Sequence, residues 1–172
     1  MEYFEKLEYT VDLARLKIEA PVLLWDSVKK KYQQQVSLQT DGTGDWQSST
    51  GSRPDQDESK WNIIHPDLAG TWWEDFFKSL PMKVYRSRLM FMVPRTCYSI
   101  HTDAGPRLHI AIKTDKQSRF IFIDPPKIIH IPEDGHIWWV DTRLPHTAIN
   151  GSLEHRIHLV MCLKDDEGYD EN

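Results

Sequence analysis

VYRSRLMFMV (residues 84–93), CYSIHTD (97–103), RLHIAIKT (107–114), RFIFID (119–124), KIIHIP (127–132), HIWWVDT (136–142), HTAIN (146–150) and HRIHLVMCLK (155–164) are eight short runs rich in β-branched and aromatic residues. Chain breakers separate them: Pro94, Ala104-Gly105-Pro106, residues 115–118, Asp124-Pro125-Pro126, Glu133-Asp134-Gly135, Leu144-Pro145 and Asn150-Gly151. Strands at this spacing predict a sandwich, barrel or jelly roll. No helical runs alternate with them, which excludes a parallel α/β sheet. Asn-Gly between two apolar runs predicts a type I′ hairpin joining the last two strands.

Outward from this core, the first 83 residues read differently. Residues 9–20 (YTVDLARLKIEA) predict either a helix ending before Pro21 or a strand pair, because the residue before proline avoids the helical region. Residues 22–36 predict a short helix with Leu24, Val28 and Tyr32 four apart. Residues 39–60 contain a single apolar side chain, Trp46. Such a stretch buries too little surface to offset its ordering entropy. It reads as a disordered loop, or as a mobile lid anchored by Trp46. Trp61, Trp72, Trp73, Phe76, Phe77 and Leu80 have helical spacing, which predicts a helix over about 67–80, stopped by Pro81, whose aromatics cover a sheet face. The 172 residues make one domain: an N-terminal helical and irregular extension (1–83) packed on a jelly-roll core (84–164), followed by an acidic tail (165–172).

The net charge of −5 is matched by the tail alone, and no basic block exceeds Lys29-Lys30-Lys31. That balance argues against a nucleic-acid partner. No apolar run is long enough for a membrane helix, and the acidic N-terminus lacks the apolar stretch of a signal peptide. Two cysteines make no disulfide framework, so Cys97 and Cys162 are expected to be buried free thiols in a reducing, cytoplasmic setting.

The chemistry lies in the polar residues of the strands. In a strand, residues i and i+2 face one side, so His101 and Asp103 project together. His146 follows 45 residues later. Two histidines and one carboxylate, with other positions open, form the facial triad of non-haem Fe(II) oxygenases. With eight histidines in the chain, chance matches come easily, so further residues have to discriminate. Arg156, ten residues after His146, does so. A guanidinium there pairs bidentately with a carboxylate, as a metal-chelating acid with a second carboxylate, such as 2-oxoglutarate, requires. Strand parity then aims Arg107, His109 and Ala111 inward with the site. Leu108, Ile110 and Ile112 face the helices.

Ile100 to Ile110 (IHTDAGPRLHI) resembles the first signature of the aspartyl/asparaginyl β-hydroxylase-like family of Fe(II)/2-oxoglutarate dioxygenases. His146-Thr147-Ala148-Ile149-Asn150, with Arg156-Ile157-His158-Leu159-Val160, resembles the second. The resemblance spans roughly residues 84–164. It implies a double-stranded β-helix (jelly-roll, cupin-like) fold, mainly β with flanking helices. It further implies Fe(II) held by His101, Asp103 and His146, with 2-oxoglutarate and O₂ as cosubstrates. Arg156 would hold the distal carboxylate of 2-oxoglutarate. His109 would contact the cosubstrate, and Arg107 the cosubstrate or a substrate carboxylate. The implied activity is hydroxylation of an unactivated C–H bond of an amino acid or a peptidyl residue, with release of succinate and CO₂. Some members acting on peptidyl residues have glycine at the place of Asp103; the full triad here is that of the free-amino-acid hydroxylases. A cupin-like module that binds a small acid without chemistry is the alternative.

Other polar residues have structural readings. Asn150 fits hairpin geometry. His158 shares parity with Arg156. His65, His130, His136 and His155 read as surface or strand histidines. Trp138 and Trp139 point to opposite faces. Tyr98 and Arg88 lie on neighbouring strands within reach of a ligand, although no spacing compels a role.

Overall fold

The computed structural model describes residues 3–26, 34–53 and 56–164. The chain begins with a strand, β1 (Phe4–Thr10), and a helix, α1 (Leu13–Leu24), whose N-cap Asp12 accepts from the Arg15 amide. Both readings of residues 9–20 are therefore partly met, but the helix runs through Pro21 and does not stop before it. Leu16, Ala20, Leu23 and Leu24 form one buried stripe. Burying the last two leucines stabilises by about 1.5–3 kcal/mol each, which offsets the roughly 3 kcal/mol cost of an interior proline. The short helix expected over 22–36 is absent at both described ends: Val22–Leu24 close α1, and β2 (Gln35–Ser37) is a strand. Val28 and Tyr32 lie outside the described residues, as does the acidic tail.

Residues 39–53 and 56–60 are more ordered than their composition predicts. They contain β3 (Gln39–Thr40), which pairs with β4 (Ile63–Ile64), and a 3₁₀ turn at Glu58–Lys60. Trp46 is buried and stacks on His65 at 3.5 Å between ring centroids. Polar contacts supply what apolar area does not. Ser49 donates to the Ser37 hydroxyl from both its amide and its own hydroxyl, and the Gly51 amide donates to Gln35. His65, expected as a surface or strand histidine, follows β4 and is buried and satisfied: Nε2 donates to the Gly44 carbonyl and Nδ1 accepts from the Asp67 amide.

The aromatic helix α2 (Trp72–Ser79) starts later than its spacing predicts. Gly70 has φ +70°, which breaks the helical path, and Thr71 then caps the new start through the Trp73 amide. A separate 3₁₀ turn occupies Pro66–Leu68. Trp73 and Phe76 join α1 in a cluster over the sheet, as the spacing implies.

Seven of the eight expected strands form, and the one expected over 97–103 shrinks to a two-residue strand at its start: β5 (Tyr85–Met92), β6 (Thr96–Cys97), β7 (Arg107–Lys113), β8 (Ser118–Phe122), β9 (Lys127–Ile129), β10 (His136–Val140), β11 (His146–Asn150) and β12 (Arg156–Cys162). They build a six-stranded sheet in the order β1-β10-β7-β12-β5-β2 and a four-stranded sheet in the order β6-β11-β8-β9. The N-terminal extension thus supplies both edge strands of the larger sheet. Parity behaves as expected on β7. Leu108, Ile110 and Ile112 pack on α1 and α2 with Leu159 and Met161, while Ala111 joins Phe120, Phe122 and Ala148 between the sheets. This is a jelly roll with the helices on the outer face of its larger sheet. No helix among the described residues is long and apolar enough to cross a membrane.

Two local expectations fail. Asn150-Gly151 closes no hairpin, because β11 and β12 belong to different sheets. The Asn150 side chain instead bridges them. Its amide donates to the carbonyls of Met92, Val93 and Glu154, and its oxygen accepts from the hydroxyls of Ser118 and Ser152. Cys97 is exposed at the end of a two-residue strand; only Cys162 is buried. Asn150→Ala removes these contacts at a fully buried position; Ser152 and the Glu154 carbonyl keep each other, while the Ser118 hydroxyl loses its acceptor. Chemical denaturation is expected to show a loss of about 2–4 kcal/mol, from several interactions of about 1 kcal/mol each plus stranded polar groups.

Candidate metal centre and its cavity

A cavity of about 440 Å³ opens between the sheets, and His101, Asp103, His146, Arg107, His109 and Arg156 all reach its wall. The six residues singled out in the sequence are therefore together. His101 lies beyond β6 in an isolated bridge to His146, with amide-to-carbonyl bonds of 3.0 and 2.9 Å in the two directions. The strand expected over 97–103 is otherwise irregular. Asp103 is fixed by its amide, which donates to the Thr142 carbonyl at 2.8 Å.

The donor atoms of His101, Asp103 and His146 lie within 4.8 Å of one another. Both imidazoles are aimed by the same device. His101 Nδ1 is 2.8 Å from the Ser99 carbonyl, and His146 Nδ1 is 2.9 Å from the Leu144 carbonyl. A carbonyl only accepts, so each Nδ1 carries the proton and each Nε2 keeps a lone pair for a cation. Phe120 stacks on the His146 ring at 4.8 Å. Asp103 gives Oδ1 to Arg107 at 3.3 Å, and its Oδ2 lies 4.0 Å from His146 Nε2. Burial raises the Asp103 pKa, but Arg107, His146, Arg88 and His101 outweigh it and hold the carboxyl below its ordinary value. Burial lowers His146, so this imidazole is neutral, as a metal ligand must be. Two imidazole nitrogens and one carboxylate oxygen this close together fit a divalent first-row cation.

Arg107 does not stand ready for a ligand carboxylate. Its guanidinium holds both oxygens of Glu58, at 2.8 and 2.9 Å, as well as Asp103. Glu58 also pairs with Arg86, whose other nitrogens donate to the carbonyls of Ser49 and Gly51. Arg86 has φ +47°, and it and Ser87 oppose the single Met161 in a bulge between β5 and β12. Sequence reading missed Glu58 and Arg86. Arg86 had a signal, since two arginines at alternate positions of an apolar strand need anions; Glu58, inside a polar stretch, had none.

Two buried cations remain without a carboxylate among the described residues. Arg156, 5% exposed, donates to His158 Nδ1 at 3.0 Å. Arg88, 6% exposed, reaches only the Gln35 side-chain oxygen, at 3.3 Å, and its Nε has no partner. Burial first of all pulls each guanidinium down to about 10. His158 and His109 are pushed well below the ordinary histidine value by burial and then by Arg156. Because Arg156 only donates, His158 carries its proton on Nε2. The 3.5 Å contact between the two Nδ1 atoms is then a donation from His109, whose bare Nε2 is buried without a partner.

No protein-family model matches the chain, and no curated protein matches its sequence. Solved structures share its fold. A 2OG-Fe(II) oxygenase family oxidoreductase from Burkholderia pseudomallei superposes with a TM-score of 0.53 at 16% identity, covering 93% of this chain and 84% of that one. AviO1 from Streptomyces viridochromogenes Tue57 gives 0.54 at 15% identity, over 97% and 92% of the two chains. EvdMO1 gives 0.55 at 16% identity, over 93% of this chain and 46% of that one. At these identities the likeness establishes the jelly-roll fold.

The neutral burial of His158 has a pH consequence. The unfolded chain takes up this proton near pH 6.5 and the folded chain does not, so acid favours unfolding. The contribution is complete above about pH 6.5 and is lost as pH falls below it. His158→Gln keeps an acceptor for Arg156 and removes the titration. Its stability, followed by denaturant midpoints between about pH 6.5 and 5, is expected to fall less steeply than wild type, the difference growing to about 1.4 kcal/mol per pH unit at the acid end.

Proposed function

We propose that this protein is an Fe(II)- and 2-oxoglutarate-dependent dioxygenase of the aspartyl/asparaginyl β-hydroxylase-like kind, which hydroxylates an unactivated C–H bond of an amino acid or peptidyl residue. The observation that carries this reading is the His101/Asp103/His146 donor set in one cavity with the uncompensated guanidinium of Arg156. A buried cation without a partner is costly, and a dicarboxylate that reaches from the metal to Arg156 removes that cost. The fold shared with the Burkholderia pseudomallei oxygenase-family protein supports the same reading.

His101 and His146 would bind the metal through Nε2, and Asp103 through Oδ2. When bound, iron with 2-oxoglutarate and O₂ supplies the oxidation, releasing succinate and CO₂ as one oxygen atom enters the substrate. Arg156 would pair with the distal carboxylate of 2-oxoglutarate, and His109, once its proton stands on Nε2, would donate to the bound acid. Arg107 acts through Asp103: by holding Oδ1 it leaves one oxygen for the metal, which makes it a positioning residue and revises the cosubstrate contact expected from sequence. Met90, Phe120, Ala148 and Val160 give the cavity apolar walls that exclude water.

Anaerobic addition of Fe(II) and 2-oxoglutarate is expected to produce a weak visible metal-to-ligand charge-transfer band. His146→Ala should abolish it. Arg156→Met should retain metal binding and raise the 2-oxoglutarate Kd by roughly 10- to 100-fold, the loss of a charge-assisted contact. A wild-type protein that gives no band rejects the reading. A band without succinate release from any amino acid or peptide offered favours the small-acid binder.

A further inference from the structure

Arg88 is the buried charge that this chemistry does not use. It sits on β5 opposite Val160 of β12, whereas Arg156 sits opposite Met92. The two arginines are therefore four residues apart along the same strand pair, about 13 Å at 3.3 Å per residue. Both line the one cavity. Their surroundings differ accordingly. Arg107, which holds Asp103, sits opposite Cys162 of β12, two residues from the Val160 that faces Arg88. Arg156 faces Tyr98 and His158. Arg88 thus lies toward the metal carboxylate, and Arg156 toward the opposite end. Around them, Glu58 and Asp103 balance Arg86 and Arg107.

We propose that Arg88 is the binding group for a carboxylate on the primary substrate, at a subsite distinct from the one that Arg156 provides for the cosubstrate. This rests on the assignment of Arg156 in the proposed function. A five-carbon dicarboxylate reaching from the metal to Arg156 leaves Arg88 uncompensated. Its Nε is buried without a partner, and its one polar contact is a long bond to the neutral Gln35. A planar guanidinium with its donors free accepts a carboxylate in a fork geometry. A single free guanidinium matches one negative charge, so the class is a monocarboxylate group rather than a phosphate. The substrate's carboxylate would then be held on the Asp103 side of the metal, which fixes which C–H bond is presented.

The test uses formate as the minimal carboxylate probe, with inorganic phosphate as the second arm. Wild type, Arg88→Met, Arg88→Lys and Arg156→Met are compared with Mn(II) and saturating 2-oxoglutarate, by thermal midpoint and by titration calorimetry. Formate is expected to stabilise the wild type saturably, and more strongly than phosphate does. Arg88→Met should weaken formate binding by roughly tenfold or more, the loss of a charge-assisted contact. It should keep 2-oxoglutarate affinity within about threefold, well short of a charge-assisted contact. Arg88→Lys should recover part of the formate response, and Arg156→Met should lose 2-oxoglutarate affinity instead. Without ligands, Arg88→Met should be no less stable than wild type, because an uncompensated buried cation gives way to an apolar side chain. A merely structural Arg88 would lower that midpoint. The proposal is overturned by any of four results: an equal formate response in Arg88→Met, no formate response in wild type, a preference for phosphate, or a 2-oxoglutarate loss in Arg88→Met as large as in Arg156→Met. Should wild type bind neither Mn(II) nor 2-oxoglutarate, the dioxygenase reading fails by itself. The formate response of the metal-free protein then still decides whether Arg88 holds a carboxylate.

Discussion

Four buried guanidinium groups face the interior of this jelly roll, those of Arg86, Arg88, Arg107 and Arg156, and two carboxylates, Glu58 and Asp103, meet them. An unpaired charge inside a protein costs several kcal/mol, so this imbalance constrains everything near it. Glu58 is the pivot. Its two oxygens are shared between Arg86 and Arg107, and Arg107 passes the constraint on to Asp103. The segment carrying Glu58 is poor in apolar residues, yet it is held against the barrel because its carboxylate is needed there. The polar fastening of residues 45–60 and the aim of a candidate metal ligand are consequently one problem with one solution.

The same constraint explains the local departures from ideal strand geometry. A non-glycine residue in the left-handed region costs on the order of 1–2 kcal/mol. Arg86 adopts it, at φ +47°, in a bulge that opposes two residues of β5 to one of β12. The return is the contact with Glu58, two carbonyl acceptors on the 45–53 segment and the face of Trp61 at 5.2 Å. Only two residues further along, the regular register resumes, and Arg88 is placed on the cavity wall without a counter-ion. One strand thus commits its first arginine to structure and leaves its second without a carboxylate among the described residues.

Much of this was legible in the sequence. The eight strands were marked by apolar runs and breakers, because strand burial and turn chemistry are local properties. That Arg107, His109 and Arg156 reach the cavity was legible because spacing along strands converts directly into a shared face, as Leu108/Ile110/Ile112 against Arg107/His109/Ala111 demonstrate; His101 and Asp103 come together in an irregular segment instead. What failed depended on partners distant in the chain. Asn150-Gly151 has a hairpin signature, but the side chain of Asn150 is committed to two sheets at once. Pro21 ends helices by local rules, yet Leu23 and Leu24 have a core to enter. Residues 39–60 look unfoldable from composition, which counts apolar area and cannot count Arg86, Ser37 or Gln35 waiting elsewhere. Arg107 reaches the cavity wall that its parity implies, but its counter-ion sits 49 residues earlier in a segment with no signal.

The two uncompensated arginines also bear on how the fold and its occupants depend on each other. Ligands that bind only the folded state stabilise it by mass action. Here the gain should exceed what contact area alone implies, because each anion also relieves a buried cation that the empty fold has to tolerate. Arg88 and Arg156 are carried by the same strand pair, on the face that looks into the cavity, with the His101/Asp103/His146 donors on the wall between the sheets. Their separation is therefore fixed by β-sheet register rather than by loops. Two occupants would be set against one rigid ruler: on the proposed reading, a cosubstrate carboxylate at Arg156 and a separate substrate carboxylate at Arg88. Selection by such a site is a matter of where charge sits along the ligand.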